Sequence, residues 1–323
     1  MSWKTTNARR PDLEALEVNA PYNYIGARVY PVITRTEKTG TLYYNSVKSD
    51  IAAQSGRNGS GPSITRSNVS SAYTTYSCGA LYARPVVRKE EVSNVGGIEV
   101  ADRIGGTLAK RSIMKAIEAA QAAALFTGDA HAVGSGEFFD AIAEGCKAVR
   151  KVYGTPALAL GFDTYRYVMS LQEVTARLAF TGLTPAERVQ VLSLRPELLK
   201  DMFQQLFGVS EILIGDSDVW DYSTNAGKAA IVKLPDVTDL SYKLNPELGK
   251  TVSYQVDDSP FEIESAVDEG EQENLYTATA YIAVKELNAS GKYILSGLVD
   301  EASGSASGSA PASGSAPASG SGE

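Results

Sequence analysis

The stretch VGGIEVADRIGGTLAKRSIMKAIEAAQAAALFTG, from Val95 to Gly128, decides the fold of this chain. Its apolar residues follow helical spacing with one phase shift: Val100, Ile104, Leu108, Ile113, Ile117, Ala120 and Ala124. Its charged residues fall mostly on the opposite side: Asp102, Arg103, Lys110, Arg111, Lys115 and Glu118. Ser93 or Asn94 is placed to cap the start, and Gly128 stands where a helix ends. The pattern predicts an amphipathic helix roughly 45 Å long, which taken alone is an ordinary core helix.

Length and composition set bounds on the rest of the molecule. With 323 residues the chain can bury a sizeable core, and we expect two packed units. We expect no membrane-spanning segment and no secretory leader. Two distant cysteines, Cys78 and Cys146, suit a reducing compartment. The net charge of −8 argues against a surface that wraps nucleic acid, and the single histidine, His131, excludes most multi-histidine metal sites.

The N-terminal third predicts an arm followed by a long two-stranded ribbon. Residues 1–20 lack periodicity and should be ordered only where a neighbour holds them, while Val29–Ile33 is typical of a strand. The segments TGTLYYNSV and SAYTTYSCGALYARPVV predict two more strands around a Gly/Ser-rich tip. An isolated ribbon is marginal in water, so this one should lie on another surface. Residues 28–90 carry nine basic and three acidic residues, a net charge of +6.

Helical and strand patterns alternate in the middle of the chain, which predicts an α/β unit. A helix capped by Ser135 presents an apolar face and ends at Gly154; the face consists of Phe139, Ile142, Cys146, Val149 and Tyr153. The strand PALALGF, the helix DTYRYVMSL, a capping box from Thr184 to Glu187, the helix PELLKDMFQQLFG and the strand EILIGD follow.

The last part is mostly strand, with the candidates AAIVKL, KTVSYQV, FEIESAV, LYTATAYIAVKEL and KYILSGLV. Residues 236–300 carry thirteen acidic and four basic residues, a net charge of −9. Residues 301–323 form an Ala/Ser/Gly/Pro tail whose composition cannot build a core, so we expect it to be disordered and dispensable.

Motifs for chemistry are weak throughout. GRNGSG at 56–61 lacks the Gly-Lys-Ser/Thr ending of a phosphate loop, and GSG at 134–136 lacks the third glycine of a dinucleotide fingerprint. DSDVWD brings together Asp216, Asp218 and Asp221, but it lacks the glycine and glutamate of a calcium loop and is expected to be a solvated turn. The acidic run from 257 to 273 is either a solvated face or a surface for a basic partner. His131 has no nucleophile beside it in sequence.

The order of these elements resembles the major capsid (coat) protein of tailed bacteriophages, the shell fold shared with encapsulins and the herpesvirus capsid floor. The resemblance covers residues 1 to about 300 and is carried by co-linear segments. These are the Tyr30-Pro31 pair, TEKTGTLYY, YSCGALYARPVV, the long helix, AIAEGCKAVRKVYGTPALALGFDTYRYV, and LLKDMFQQLFGVSEILIGDS before the late long strand.

The resemblance implies an α+β fold with an N-arm, an extended β-hairpin loop, a peripheral domain with a long spine helix, and an α/β axial domain. The implied divisions are the N-terminal arm 1–27, extended loop 28–92, peripheral domain 93–135, axial domain 136–268, peripheral return strand 269–289, final axial strand 290–300 and flexible tail 301–323.

The function implied is that of a structural subunit of an icosahedral head, without enzymatic activity, cofactor or metal. It would self-assemble into hexamers and pentamers around double-stranded DNA, in a virion assembled in the host cytoplasm. The implied partners are other copies of the chain, a portal protein, a separate scaffolding protein, a possible decoration protein and packaged DNA contacted non-specifically, without any membrane. Lys38 and Lys48 are loop lysines of the kind that crosslink in some relatives, but the sequence identifies no partner for them.

We expect the basic ribbon to lie across the acidic surface of a neighbouring subunit, with charge setting register and tyrosines adding affinity. The candidate contact residues are Arg57, Arg66, Tyr43, Tyr44, Tyr73, Tyr76, Asp257, Asp258, Glu262 and Glu264. The alternative is that both charged segments merely face solvent. The competing function is an α/β enzyme of unknown activity, which would need converging polar groups that the motifs do not supply.

Overall fold

The computed structural model describes residues 8–14, 24–45, 71–94, 97–151, 155–177, 184, 187, 190–191, 197–235, 247–255, 261–268 and 273–299. The predicted tail, the ribbon tip and residues 1–7 and 15–23 of the arm lie outside these ranges. No helix among the described residues has the length and apolar character needed to cross a bilayer.

The helices are α1 (Pro11–Glu14), α2 (Gly26–Val29), α3 (Lys89–Asn94), α4 (Ile98–Leu125), α5 (Phe138–Arg150), α6 (Phe162–Ser170), α7 (Gln172–Arg177), α8 (Glu197–Phe207) and α9 (Ser217–Trp220). The strands are β1 (Ala8–Arg9), β2 (Val32–Arg35), β3 (Thr39–Asn45), β4 (Ser71–Ser77), β5 (Gly79–Ala83), β6 (Val86–Arg88), β7 (Ala130–Ala132), β8 (Pro156–Gly161), β9 (Ile212–Gly215), β10 (Ala229–Lys233), β11 (Gly249–Tyr254), β12 (Glu262–Asp268), β13 (Glu273–Glu286) and β14 (Lys292–Ser296). This mixed content confirms the predicted α+β class.

The long helix α4 is confirmed, but the predicted apolar stripe is wrong over its first half. Val100, Ile104 and Leu108 are exposed there. The buried face consists of small residues instead: Ala101, Gly105, Gly106 and Ala109. These let the helix backbone approach β13 closely, since a Cβ on Gly105 would lie 2.2 Å from the Tyr276 ring. Over the second half Ile113 is buried as predicted, but so is Glu118, which was predicted to face solvent.

The ends of α4 also differ from the prediction. The residue before the helix is Gly97, at φ 110°, and no side chain caps it. Ser93 and Asn94 belong to the preceding helix α3. At the other end the Lys292 ammonium donates to the carbonyl oxygens of Ala124 (3.2 Å) and Thr127 (2.7 Å). A cation there stabilises the negative end of the helix dipole.

The first sheet has seven strands and packs on the first half of α4. Its main order is β1-β12-β13-β11-β2, and β5 and β6 also pair with β13. The strand β13, which the sequence predicted as unusually long, therefore forms the spine of this sheet. Both β11 and β12 are antiparallel partners of β13, so residues 249–254 and 262–268 belong to this sheet. The division of the chain into arm, loop and domains stays a prediction.

The second sheet has five strands in the order β7-β14-β10-β8-β9. As predicted, β8 is buried along its whole length. Helix α5 packs on this sheet through the predicted Phe139, Ile142, Cys146 and Val149, and it ends at Arg150. The predicted Tyr153 and Gly154 lie outside the described residues. The start of α5 uses no side-chain cap from Ser135; instead the Glu173 carboxylate accepts from the N–H groups of Phe138 and Phe139 at 3.2 and 3.1 Å.

A separate cluster joins the two sheets at the C-terminal half of α4. It includes Tyr30 before β2, Leu125 and Phe126 at the end of α4, and Trp220 from α9. Phe126 meets Trp220 edge to face at 5.7 Å. The second half of α4 thus lies in the core where the two sheets meet.

Part of the predicted arm is held by its own subunit, against the expectation that a neighbour is needed. β1 pairs with β12, and Leu13 is buried against α4. The Arg10 guanidinium binds Asp102 at 3.0 Å. Further along, the predicted strand from Val29 is wrong at its start, because residues 26–29 form α2 and the strand begins at Val32.

Candidate assembly surfaces

The described part of the ribbon is the antiparallel pair β3–β4, in which Tyr43 lies opposite Tyr73. Its inward face is fixed to its own subunit. Leu42 and Tyr76 are 3 % and 5 % exposed and pack with Cys78 and Val252. Tyr44 packs at the margin of this cluster. Tyr76 is buried and Tyr44 is half-buried, so neither offers much surface to a neighbouring subunit. Of the four predicted contact tyrosines, only Tyr43 and Tyr73 have most of their surface exposed.

The outward face of the ribbon carries those two tyrosines. Tyr43 is 75 % and Tyr73 is 70 % exposed. Their ring centroids are 6.4 Å apart, which makes one continuous aromatic patch. Neither β3 nor β4 contains a charged residue, although charge is a common protection of exposed strand edges. The predicted contacts Arg57 and Arg66 lie outside the described residues.

The root of the ribbon is anchored by Lys38. Its ammonium lies 3.9 Å from the centroid of the Tyr281 ring and 5.2 Å from that of Tyr254. The Lys38 carbonyl accepts from the N–H of Cys78 at 2.8 Å, which closes the two strands at their base. Lys38, a candidate for crosslinking, therefore makes cation–π contacts with two aromatic rings of its own subunit.

The acidic side of the predicted contact falls on β12. Glu262 and Glu264 flank the fully buried Ile263, so they project from the opposite face of the strand and are half-buried. Asp257 and Asp258 lie outside the described residues. The ribbon packs on β11 and β13, whereas β12 lies on the far side of β13 from β11. Within one subunit, the ribbon therefore lies on β11 and β13, whereas Glu262 and Glu264 lie on β12.

Sequence reasoning missed an apolar surface on the outer side of α4. Its members share partial to high exposure: Ile98 (63 %), Val100 (40 %), Ile104 (39 %) and Leu108 (42 %). Val100, Ile104 and Leu108 are spaced by four residues and lie on one face. We call these three residues the spine stripe. The spacing was visible in the sequence, but it was assigned to the core.

The segment DSDVWD forms α9 rather than the predicted turn, and its carboxylates have structural partners although Asp218 stays exposed. Asp216 caps α9 by accepting from the N–H of Asp218 at 3.2 Å. Asp218 pairs with Lys115 at 3.0 Å. Asp221 accepts from the N–H groups of Asp163 (2.8 Å) and Thr164 (3.3 Å) and caps α6. Burial raises the pKa of Asp221.

A carboxylate of α4 forms a buried network that the sequence did not reveal. Glu118 Oε1 accepts from the N–H groups of Ile25 (2.8 Å) and Gly26 (2.9 Å) and from Trp220 Nε1 (2.8 Å). Burial raises the pKa of Glu118, and these donors oppose that shift. The donors lie about ninety residues or more away in sequence, so no local pattern indicates them.

Few groups among the described residues are arranged for catalysis or metal binding. No cluster of three His, Cys, Asp or Glu side chains there could hold a metal ion. His131 is exposed and lies against Tyr293, with ring centroids 5.9 Å apart. Both cysteines are buried, and burial raises the pKa of the Cys146 thiol to about 11. A cavity of about 660 Å³ lies between Phe138, Tyr167 and Leu298, and its carboxylate, Glu173, already caps α5.

No protein-family model and no curated protein sequence matches the chain. Solved structures do match over nearly all of it. A phage-related protein of Bordetella bronchiseptica RB50 is 16 % identical, with a TM-score of 0.59 over 90 % of this chain and 97 % of that one. The capsid of a native GTA particle gives 13 % identity and a TM-score of 0.51, over 92 % and 94 %. The mature capsid of bacteriophage PhiM1 gives 10 % and 0.50, over 87 % and 89 %.

These likenesses extend over about nine-tenths of the chain, rather than over one local motif. They agree with the co-linear order of elements along the chain. The chain has the fold of the major capsid proteins of tailed bacteriophages.

Proposed function

We propose that this chain is the structural subunit of an icosahedral bacteriophage head, which assembles into hexamers and pentamers around double-stranded DNA. The observation that carries the proposal is the match to solved structures across about nine-tenths of the chain, two of which are described as capsids. Two features of the single subunit support it. The uncharged ribbon face and the spine stripe are apolar or aromatic surfaces that remain exposed in isolation, and such surfaces mark interaction sites.

The proposed partners are other copies of this chain, a portal protein, a separate scaffolding protein and packaged DNA contacted non-specifically. A decoration protein is a further proposed partner. The proposed location of the protein is the virion, with assembly in the host cytoplasm. An enzymatic role is the weaker candidate, because carboxylates that the motifs offered for chemistry, such as Asp221 and Asp218, cap a helix or pair with a cation.

The proposed test is assembly itself. The chain, co-expressed with its scaffolding protein, should elute from size exclusion as megadalton particles. Monomers and dimers alone would contradict the proposal. An enzyme of this fold class would form small oligomers under the same conditions.

Within the shell we propose that the ribbon of one subunit lies on its neighbour. Charge at the tip, through Arg57 and Arg66, would register it against an acidic surface that includes Asp257, Asp258, Glu262 and Glu264. Tyr43 and Tyr73 would supply contact area. Exposed ion pairs contribute only about 0–1 kcal/mol each, but a closed shell repeats every contact many times.

Two sets of variants separate these contributions. Reversing Arg57 and Arg66 to glutamate should impair assembly and change its salt dependence, with partial rescue by lysines placed between 257 and 273. Tyr43→Ser with Tyr73→Ser should lower particle yield at unchanged subunit stability. Tyr76→Ser is the matched control, because its buried ring should cost subunit stability instead. Wild-type assembly of both the charge and the tyrosine variants would overturn the ribbon contact.

A further inference from the structure

Glu118 is a carboxylate in the middle of α4 that is only 3 % exposed. It binds two other parts of the chain at once. The N–H groups of Ile25 and Gly26 reach it from the start of α2, and the indole of Trp220 reaches it from α9. Its second oxygen, Oε2, also accepts from the Gly26 N–H, at 3.0 Å. Three donors converge on this one buried carboxylate, and leaving buried donors without an acceptor is costly, so this group is a substantial tether.

The backbone at Gly26 is shaped for this contact. A Cβ there would lie 2.2 Å from Gln121 Oε1 and 2.8 Å from Glu118 Oε2. Only glycine lets the chain pass so close to the helix. Gln121, one turn further along α4, is also buried and donates to Thr251 Oγ1 at 2.8 Å. Thr251 in turn donates to the Tyr30 carbonyl at 3.2 Å.

These contacts hold one short segment, residues 25–30, at both ends. The N-terminal arm leads into this segment, and β2 and then the ribbon leave from it. This segment packs with Trp220 and Phe126 in the cluster at the junction of the two sheets. The arm and the ribbon therefore join the body through this one segment, and the segment is tied to α4 by polar side chains.

We propose that Glu118 is a positioning residue that fixes the shared origin of the arm and the ribbon at the junction of the two sheets. The direction in which both leave the subunit then depends on this carboxylate. The inference rests on the proposed shell function for its consequence in assembly, but the tether itself can be measured without assembly.

The tether is tested by hydrogen exchange of the unassembled subunit. Glu118→Gln keeps the size of the side chain but replaces one of its two accepting oxygens with an NH2 group. The Gly26 N–H lies within 3.0 Å of both oxygens, so in either orientation of the amide it faces that NH2 group. The amides of Ile25 and Gly26 should then exchange about tenfold faster or more. Glu173→Gln is the matched control: it removes a carboxylate that also binds two backbone N–H groups, but those of Phe138 and Phe139. It should speed exchange at these two residues and leave Ile25 and Gly26 unchanged.

The consequence is tested in particles. Glu118→Gln should yield fewer closed particles or a broader distribution of diameters, whereas Glu173→Gln should assemble like the wild type. Gly26→Ala disrupts the same contact from the segment rather than from α4. It keeps the Glu118 carboxylate, but its methyl group would displace residues 25–30 from the helix. It should reproduce the assembly defect, and it keeps the test decisive if Glu118→Gln does not fold.

The outcomes are distinguishable. Wild-type exchange at Ile25 and Gly26 in Glu118→Gln would show that the tether does not hold the segment and would overturn the inference. So would faster exchange combined with particles of wild-type yield and diameter in both variants. Failure of the wild-type chain to assemble, with the exchange effect present, would instead count against the shell function and leave the tether intact.

Discussion

At the scale of single residues, three carboxylates in the described part of this subunit cap backbone N–H groups at the start of a helix. Asp221 closes the start of α6, Glu173 the start of α5, and Glu118 the start of α2. Each cap lies far in sequence from the helix that it closes. Helix ends leave such donors unsatisfied, so these contacts link distant parts of the chain as well as terminate helices.

Asp221 gives a prediction for pH dependence. Burial raises its pKa in the folded state, so the folded subunit binds this proton more tightly than the unfolded chain does. Its contribution to stability is therefore fully present below about pH 4, the ordinary Asp pKa, and is lost as the pH rises through the raised value. The free energy of unfolding of the wild type relative to Asp221→Asn should increase as the pH falls from neutrality to about 4.

Urea unfolding followed by circular dichroism at several pH values measures this difference. Asp218→Asn, at an exposed carboxylate three residues away on the same motif, is the control. A flat difference between wild type and Asp221→Asn across that range would contradict the assignment.

Gly105 gives a prediction for packing. Alanine there would place a methyl group 2.2 Å from the Tyr276 ring. That ring is held in place, because its hydroxyl donates to Asp102. Overpacking costs about 1–3 kcal/mol, offset by about 1 kcal/mol of helix propensity, so Gly105→Ala should be destabilised by up to about 2 kcal/mol in urea. Gly79→Ala, which meets no atom within 4 Å, should change little; equal effects would refute the close contact.

At the scale of elements, α4 has two unlike apolar surfaces. Ile113 is fully buried, while Ile104 is 39 % exposed on the spine stripe. Ile113→Ala should therefore destabilise the subunit by about 2–5 kcal/mol. Ile104→Gln should change subunit stability by less than about 0.5 kcal/mol and should reduce particle yield, since the stripe is proposed as a surface that assembly covers.

The check is urea unfolding of the unassembled subunit alongside particle yield by size exclusion. Loss of subunit stability in Ile104→Gln, comparable with that of Ile113→Ala, would mean that the stripe belongs to the core after all. Full particle yield in Ile104→Gln would show that the spine stripe is not an assembly interface.

The elements themselves were largely predictable, because helical spacing and strand composition are local signals. The sequence indicated α4, α5, α6, α8, β8, β9, β10 and β14 at nearly their observed bounds. The buried face of α4 was not predictable in the same way. Its apolar spacing favoured Val100, Ile104 and Leu108, whereas contact with Tyr276 selected the small residues on the other side.

The candidate surfaces show the same limit. Alternation along the ribbon identified its tyrosines, but only long-range packing on Val252 decides that Tyr76 faces inward and Tyr43 outward. Glu118 is an acidic residue, and the spacing of apolar residues along α4 predicted that it would face solvent. Its burial depends on donors from Ile25 and Trp220, which no local pattern places beside it.

At the scale of the whole molecule, the subunit is two sheets joined by one helix, with an arm and a ribbon that start from the junction. The arm segment 8–14 completes the edge of the seven-stranded sheet, and the ribbon root lies on β11 and β13. Both excursions thus have rigid bases in their own subunit. Exposed aromatic and apolar surfaces lie outward on the ribbon and on α4, which suits a protein that is completed by its neighbours.

The most direct test of the central claim is electron cryo-microscopy of the chain purified after co-expression with its scaffolding protein. The account predicts closed icosahedral shells in which each ribbon crosses onto a neighbouring subunit and the Tyr43–Tyr73 patch is covered. Small soluble oligomers, or shells in which the ribbon contacts only its own subunit, would contradict it.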